Sequence, residues 1–134
     1  MHYRFANIED IVILEQNEKH IGKAEIFDKI RRNEVLIAEE EGEFAGWLRY
    51  NLFWDHIPFI NMLFIMEKFR GHDFGTELVN MWENRMKLLG FDQVMTSTLS
   101  NESSQNFYRK LGYRDVGSLL LSGEATEIIM LKQI

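Results

Sequence analysis

The sequence predicts one mixed α/β domain. Apolar, strand-like runs alternate along the chain with segments whose apolar residues recur every three or four positions. The central crossover follows the order strand, helix, strand, which makes its two strands parallel. The length of 134 residues suits a single domain with a sizeable hydrophobic core, and 46% hydrophobic residues are typical of a globular chain.

Local signals mark the ends of several elements. Asn7 is a good N-cap, Glu41-Gly42 is a good hairpin turn, and Gly90 and Gly112 are good helix stops. The predicted helices are 8–19, 24–32, 74–89 and 101–111. The predicted strands are 3–6, 35–38, 44–53, 59–65, 93–98, 113–121 and 127–131.

The helix at 74–89 has the clearest pattern. Its core-facing positions recur at helical spacing, while the positions between them are polar and are expected to face water. The predicted core positions are Leu78, Trp82, Met86 and Leu89. The predicted water-facing positions are Glu77, Asn80, Glu83, Asn84 and Lys87.

Composition excludes several classes of function. The chain has no cysteine, so disulfides, thiolate nucleophiles and cysteine metal sites are absent, and a reducing, cytoplasmic location is expected. The four histidines have no metal-ligand spacing, so no metal is expected. A net charge of −6 without a basic cluster disfavours nucleic acid but is compatible with a cationic substrate such as an amine. Neither a secretory leader nor a membrane-spanning run is visible, so no membrane partner is expected.

A basic, glycine-containing turn follows the strand at 59–65. Its sequence is Arg70-Gly71-His72-Asp73-Phe74-Gly75-Thr76, and an amphipathic helix begins within it. Such a turn directs main-chain N–H groups towards one point, at the positive end of the helix dipole. The sequence therefore predicts an anion site that is best suited to a phosphate group.

A second informative segment runs from Asn101 to Tyr113 and includes Phe107-Tyr108 and Leu111-Gly112-Tyr113. With the turn, it resembles two signatures of the GNAT superfamily of N-acetyltransferases. Those signatures read Arg/Gln-x-x-Gly-x-Gly/Ala and Asn-x-x-Ala-x-x-Phe-Tyr-x-x-Leu-Gly-Phe. Here Ser104 replaces the alanine and Tyr113 the last phenylalanine. Either match alone is weak, but both occur in the expected order and structural context.

The resemblance implies the acyl-CoA N-acyltransferase fold. In that fold a central, mostly antiparallel sheet has helices on both faces, and its parallel strands 4 and 5, here 59–65 and 93–98, splay apart. The donor implied is acetyl-CoA. The acceptor implied is a primary amine of a small molecule or peptide, which would receive the acetyl group directly, without an acyl-enzyme.

The same resemblance implies roles for individual residues. Leu63, Phe64 and Ile65 would pair with the pantetheine arm, and the Ile65 N–H would hold the thioester carbonyl and then the oxyanion. Asn101 and Phe107 would contact the pantetheine, and Tyr108 would be the general acid that hydrogen-bonds the departing sulfur. The residues that would surround the pyrophosphate are Arg70, Gly71, His72, Asp73, Phe74, Gly75 and Thr76.

Two further positions depart from the family pattern. Asp73 stands where the turn has glycine, and it either caps the following helix or repels the pyrophosphate and weakens coenzyme A binding. Asn61 stands where many members have a glutamate base, and an amide can orient a water but cannot accept a proton. The base would then be Asp55, His56 or Glu67, or would be unnecessary for an amine of low pKa.

Other functions remain open at this point. The two departures motivate a non-catalytic acyl-CoA-binding or sensing module as the main alternative. A nucleotide-binding α/β domain is a poorer one, because neither a Walker lysine nor a full Gly-x-Gly-x-x-Gly is present. The sequence does not identify the acceptor. Dimers are common in folds that resemble this one, so a homodimer is a possible assembly.

Overall fold

The computed structural model describes all 134 residues, which form seven strands, four α-helices and two short 3-10 helices. The strands are β1 (His2–Phe5), β2 (Val35–Glu40), β3 (Glu43–Phe53), β4 (Ile57–Ile65), β5 (Gln93–Leu99), β6 (Arg114–Leu119) and β7 (Glu127–Gln133). The α-helices are α1 (Ile11–Asn17), α2 (Lys23–Arg31), α3 (Phe74–Leu88) and α4 (Ser104–Lys110). The 3-10 helices are Ile8–Asp10 and Glu67–Phe69.

The strands form one mixed sheet in the order β1-β2-β3-β4-β5-β7-β6. The pairs β1–β2, β2–β3, β5–β7 and β6–β7 are antiparallel, whereas β4 and β5 are parallel. The predicted fold class, with its parallel fourth and fifth strands, is confirmed. No helix is both long enough and apolar enough to cross a bilayer.

The chain folds into two compact units. The first consists of Met1–Tyr50 and Met62–Met81, and the second of Asn51–Asn61 and Trp82–Ile134. In the first unit, α1 and α2 pack on the sheet around an apolar cluster, which removes those side chains from water and stabilises the unit. The buried members of this cluster are Ala6, Leu14, Ile26, Ile30, Val35, Ile37 and Trp47.

In the second unit, β5 pairs with β7 over its whole length, from Gln93↔Gln133 to Leu99↔Glu127. β6 pairs with the other edge of β7. Trp82 and Met86 on α3 are fully buried, as the helical periodicity predicts. The buried apolar side chains of this unit also include Val94, Met95, Tyr108, Tyr113 and Met130.

Several predicted boundaries are confirmed and others shift. Asn7 is an N-cap and forms a capping box with Asp10, but the helix predicted at 8–19 is a 3-10 turn followed by the shorter α1. The helix predicted from Asn101 begins at Ser104, because the Gln105 side chain donates to the Ser100 and Glu102 carbonyls and closes a turn first. β6, at Arg114–Leu119, is shorter at both ends than the strand predicted at 113–121.

Two predictions for the faces of α3 are wrong. Leu89 is 53% exposed, because the helix ends at Leu88 and Leu89 no longer follows the buried stripe. Glu83 is buried rather than water-facing. It accepts hydrogen bonds from Tyr113 and Lys132, which provide the partners that a buried carboxylate needs.

Gly46 allows an unusually close approach of β3 to β4 within the first unit. A β-bulge on β3 lies beside it, because Ala38 pairs with Gly46 while Glu39 pairs with Phe44. A Cβ atom at Gly46 would lie 2.3 Å from the Phe64 carbonyl oxygen and 3.1 Å from the α-carbon of Ile65. Both are main-chain atoms, so the strand itself would have to move.

Gly46→Ala is therefore expected to destabilise the protein by about 1–3 kcal/mol, the usual cost of overpacking. Urea denaturation should show a lower midpoint at an unchanged slope. Gly117→Ala is the matched control, because a Cβ there meets nothing within 4 Å. The control should change stability by less than about 0.5 kcal/mol. Equal stability of the two variants would contradict this account of the β3–β4 approach.

Candidate active site

The turn before α3 has an alternating main-chain conformation. Gly71 and Asp73 adopt left-handed φ angles of 82° and 63°, whereas His72 between them does not. Alternation of this kind turns successive N–H groups towards one side and forms a concave anion site. The Phe74 ring packs near the buried Phe69, with centroids 6.5 Å apart, and near His72. These contacts hold the turn against the first unit.

The N–H groups of the turn have no acceptor within the protein. The Arg70 N–H donates to the Glu67 carbonyl, and the next bonded N–H is that of Glu77, which donates to the Asp73 carbonyl. The six N–H groups from Gly71 to Thr76 therefore remain free for a ligand. The Arg70 N–H, which was expected to belong to the pyrophosphate site, is already used.

Asp73 does not cap α3 in the expected way. Its side chain accepts no hydrogen bond, and its φ of 63° differs from the extended conformation usual at an N-cap. A left-handed conformation costs a residue with a Cβ about 1–2 kcal/mol, although aspartate tolerates it better than most. Asp73 is exposed, and its carboxylate adds a negative charge to the turn.

The end of β4 offers main-chain groups on the edge that faces away from β3. The Met66 N–H donates to the Ala45 carbonyl on β3 at 2.8 Å. Because successive N–H groups along a strand point to opposite edges, the N–H groups of Leu63 and Ile65 face away from β3. The Ile65 carbonyl on that edge accepts from Arg70 Nε at 2.8 Å, and the Arg70 guanidinium lies 5.0 Å from the Phe64 ring centroid.

In the second unit, β4 and β5 are paired only briefly. The two registered pairs are Phe59↔Met95 and Ile60↔Thr96. The buried Thr96 hydroxyl donates to the Ile60 carbonyl at 3.1 Å, at the last of these pairs. Beyond it, Ser97, Thr98 and Leu99 pair with β7 alone. The buried Thr98 hydroxyl has no hydrogen-bond partner.

Tyr108 on α4 lies under this same region of β5. It is 5% exposed, and its ring makes edge contacts with Phe107 and Tyr113 at centroid distances of 5.1 and 5.3 Å. Burial raises the pKa of Tyr108 to about 12, although a hydrogen bond with the Thr96 side chain partly opposes the shift. Tyr108 is therefore fully protonated at neutral pH and can act as a hydrogen-bond donor.

The candidates for the base lie in different places. The exposed Asn61 donates from its amide nitrogen to the Asn51 side chain at 2.7 Å, which fixes the amide and leaves its oxygen for water. Asp55 and His56 lie in the hairpin turn before β4, at least five residues from Asn61.

Glu67 differs from the other candidates, because it follows Ile65 by two residues. Its exposed carboxylate makes no hydrogen bond or ion pair, and it lines an open groove of about 490 Å³ with Phe44, Met66 and Phe69. Glu43 and Lys68 also line the groove and are bonded to each other at 2.7 Å. Glu67 is thus the carboxylate of the groove that is free to take a proton.

The remaining predicted ligand residues lie near the start of α4. Asn101 is exposed and its side chain makes no hydrogen bond, so its amide is free. Phe107 is half-buried. The structure therefore brings Leu63, Ile65 and the 70–76 turn together in the first unit, and Asn61, Asn101, Phe107 and Tyr108 belong to the second.

The family model for the Acetyltransferase (GNAT) family matches residues 5–113. The chain belongs to the GNAT acetyltransferase family. As a GNAT protein it is an N-acetyltransferase that uses acetyl-CoA as donor. No curated protein matches it by sequence.

Solved structures confirm the GNAT fold. Ard1 from Thermoplasma volcanium is 16% identical, with a TM-score of 0.86 over 99% of this chain and 97% of that one. A ribosomal-protein-alanine N-acetyltransferase from Brucella melitensis is 18% identical, with a TM-score of 0.84 over 100% of both chains. PaiA N-acetyltransferase from Thermoplasma acidophilum, solved in complex with coenzyme A, is 17% identical, with a TM-score of 0.84 over 99% and 98%.

Sequence reasoning missed Thr96, which hydrogen-bonds both the Ile60 carbonyl on β4 and the candidate acid. A signal was present. Thr96 and Thr98 alternate on one face of a strand whose neighbours Val94 and Met95 are apolar and buried. Buried hydroxyls at alternate positions need partners, and that requirement points to a polar neighbour on the same face.

Asp73→Gly is expected to tighten coenzyme A binding by about 5- to 30-fold, which corresponds to roughly 1–2 kcal/mol. The variant removes both the conformational strain and the charge that repels a pyrophosphate. Asp73→Asn removes the charge but keeps the Cβ, so it should recover part of the gain. Titration calorimetry with coenzyme A measures both variants. Weaker binding by both would show instead that the carboxylate supports the turn.

Proposed function

We propose that this GNAT protein transfers acetyl from acetyl-CoA directly to a primary amine of a small molecule or peptide. The observation that carries the proposal is the row of six free N–H groups from Gly71 to Thr76. A diphosphate is the group of acetyl-CoA that such a row can bind. The exposed Arg70 guanidinium adds a positive charge beside it.

The free edge of β4 would hold the rest of the donor. The N–H groups of Leu63 and Ile65 face away from β3 and lie outside the two registered β4–β5 pairs, and Phe64 contributes a partly exposed ring. The Ile65 N–H would then hold the thioester carbonyl and stabilise its oxygen as negative charge develops there. Asn101 and Phe107 are also proposed to contact the pantetheine arm.

Tyr108 would hydrogen-bond the sulfur as the thiolate leaves. Its pKa of about 12 is well above that of an ordinary thiol, about 8.5. A hydrogen bond to the developing thiolate therefore stabilises it without complete proton transfer from the phenol. Burial keeps water away from the phenol, which strengthens that hydrogen bond.

Glu67 would accept the proton that the amine loses. It is the candidate base whose carboxylate is free and lies beside the end of β4. The groove floor of Phe44, Met66 and Phe69 would suit the apolar part of an acceptor. A cytoplasmic location and a homodimer are part of the same proposal.

The proposal is tested with purified protein, acetyl-CoA and a panel of amines that includes spermidine, kanamycin, free amino acids and short peptides with free N-termini. We expect acetyl transfer to at least one amine. We also expect calorimetry to show binding of coenzyme A and no binding of ATP or NAD. Tight coenzyme A binding without transfer to any amine would contradict the proposal and favour a sensing module.

Tyr108→Phe should lower kcat by about 100-fold or more and change the Kd for coenzyme A by less than about twofold, since it removes only the donor to the leaving group. Steady-state kinetics and calorimetry measure the two quantities. Tyr50→Phe removes another buried phenol hydroxyl and is the control, with near-normal kcat expected. Equal losses of turnover and affinity in Tyr108→Phe would argue against the acid role.

Glu67→Gln should lower kcat/KM near neutral pH by about 100-fold. The loss should shrink as the pH rises towards the pKa of the acceptor, because the amine then loses its proton without a base. The pH profile of kcat/KM measures this, and Glu43→Gln in the same groove is the control. A deficit of the same size at every pH would rule out the base role.

A further inference from the structure

A buried cluster in the second unit has no place in the chemistry above. The Glu83 carboxylate on α3 accepts from the Tyr113 hydroxyl at 2.8 Å and from Lys132 Nζ on β7 at 2.8 Å. Its side chain is 9% exposed. Each carboxylate oxygen has one donor, so the position of the Tyr113 hydroxyl is fixed by a charged hydrogen bond inside the protein.

Tyr113 does not itself exchange protons with a substrate. It is 2% exposed, and burial and the neighbouring Glu83 raise the pKa of Tyr113 well above its usual range. Its hydroxyl therefore stays protonated and committed to Glu83. Lys132 Nζ lies 5.7 Å from the centre of the Tyr113 ring, which adds a cation–π contact to the same ring.

Tyr113 is also in direct contact with Tyr108. Its main-chain N–H donates to the Tyr108 carbonyl at 3.0 Å, and the two rings meet edge to face. The Tyr113 ring is thus fixed at both ends, by its main chain on Tyr108 and by its hydroxyl on Glu83. Because the Tyr113 ring is fixed, it restricts the side-chain orientations that the Tyr108 phenol can adopt.

This cluster accounts for a departure in the sequence. The signature that this chain resembles ends in phenylalanine where Tyr113 stands, and the added hydroxyl is the atom that bonds Glu83. Glu83, in turn, is the polar residue of α3 that is buried against expectation. The unexpected tyrosine and the unexpectedly buried glutamate are therefore hydrogen-bonded to each other.

We propose that Glu83, Tyr113 and Lys132 form a positioning cluster that holds the Tyr108 hydroxyl beside Thr96, where the pairing of β4 and β5 ends. The proposal rests on the acid role of Tyr108 given under the proposed function. The cluster does not touch the reacting groups and acts through the Tyr108 ring alone.

A double-mutant cycle tests the proposal, with acetyl-CoA and the best amine of the panel as substrates. Tyr113→Phe removes one hydroxyl and should lower kcat about fivefold, with KM for acetyl-CoA unchanged. In a Tyr108→Phe background the same change should alter kcat by less than about 1.5-fold, because the group being positioned is already gone. Tyr3→Phe, which removes a hydroxyl bonded to Glu77, is the matched control and should leave kcat unchanged.

The outcomes separate the two proposals. If Tyr108→Phe itself leaves kcat unchanged, the acid role fails, whatever Tyr113→Phe does. The positioning proposal is overturned if Tyr108→Phe is impaired but Tyr113→Phe lowers kcat by the same factor in the wild-type and Tyr108→Phe backgrounds. It is also overturned if Tyr113→Phe lowers kcat in neither background. Glu83→Gln, which keeps an acceptor for Tyr113, should be less impaired than Tyr113→Phe and provides a second variant. All assays are run at a temperature where thermal melts show every variant folded.

Discussion

The main-chain N–H groups from Gly71 to Thr76 must find their acceptors outside the protein. Folding normally pairs such groups, and these six remain open because the turn alternates in handedness and then enters a helix, whose first N–H groups have no partner of their own. Residues 71–73 are exposed and residues 74–76 are half-buried, so the turn is open to solvent. An anion at the turn could accept several of these aligned hydrogen bonds at once.

Contacts within the first unit hold the turn at its base. Phe74 packs near Phe69, Arg70 bonds the Ile65 carbonyl, and Gly46 lets β3 approach β4 at the same point. The end of β4 and the turn are therefore coupled through short main-chain and ring contacts within one unit. A donor bound by its diphosphate at the turn would extend along a strand edge whose N–H groups already face outwards.

The sequence predicted most of the fold, because local periodicity and turn residues determine the elements. The buried positions Leu78, Trp82 and Met86 of α3 followed from spacing of three and four residues, and the N-cap at Asn7 followed from its residue type. The partners of Glu83 did not follow, since Tyr113 and Lys132 lie 30 and 49 residues away in the chain. No local pattern reports a contact across that separation.

The candidate site was predicted in a similar way and with a similar limit. The two signatures located the turn and Tyr108, while the conformation of Asp73 and the hydrogen bond between Thr96 and Ile60 depend on tertiary structure. The residue type alone does not show whether an aspartate caps a helix or adopts a left-handed conformation. The Asp73 backbone decides between them, and it adopts the left-handed form.

The most direct measurement is a titration followed by ¹H–¹⁵N NMR, with coenzyme A and with pantetheine, which lacks the diphosphate. Coenzyme A should shift the amide signals of residues 71–76 strongly downfield, as hydrogen bonds to phosphate oxygens form. Pantetheine should leave those signals in place while moving Leu63 and Ile65. Coenzyme A that binds without moving the 71–76 amides, or that does not bind, would contradict the account.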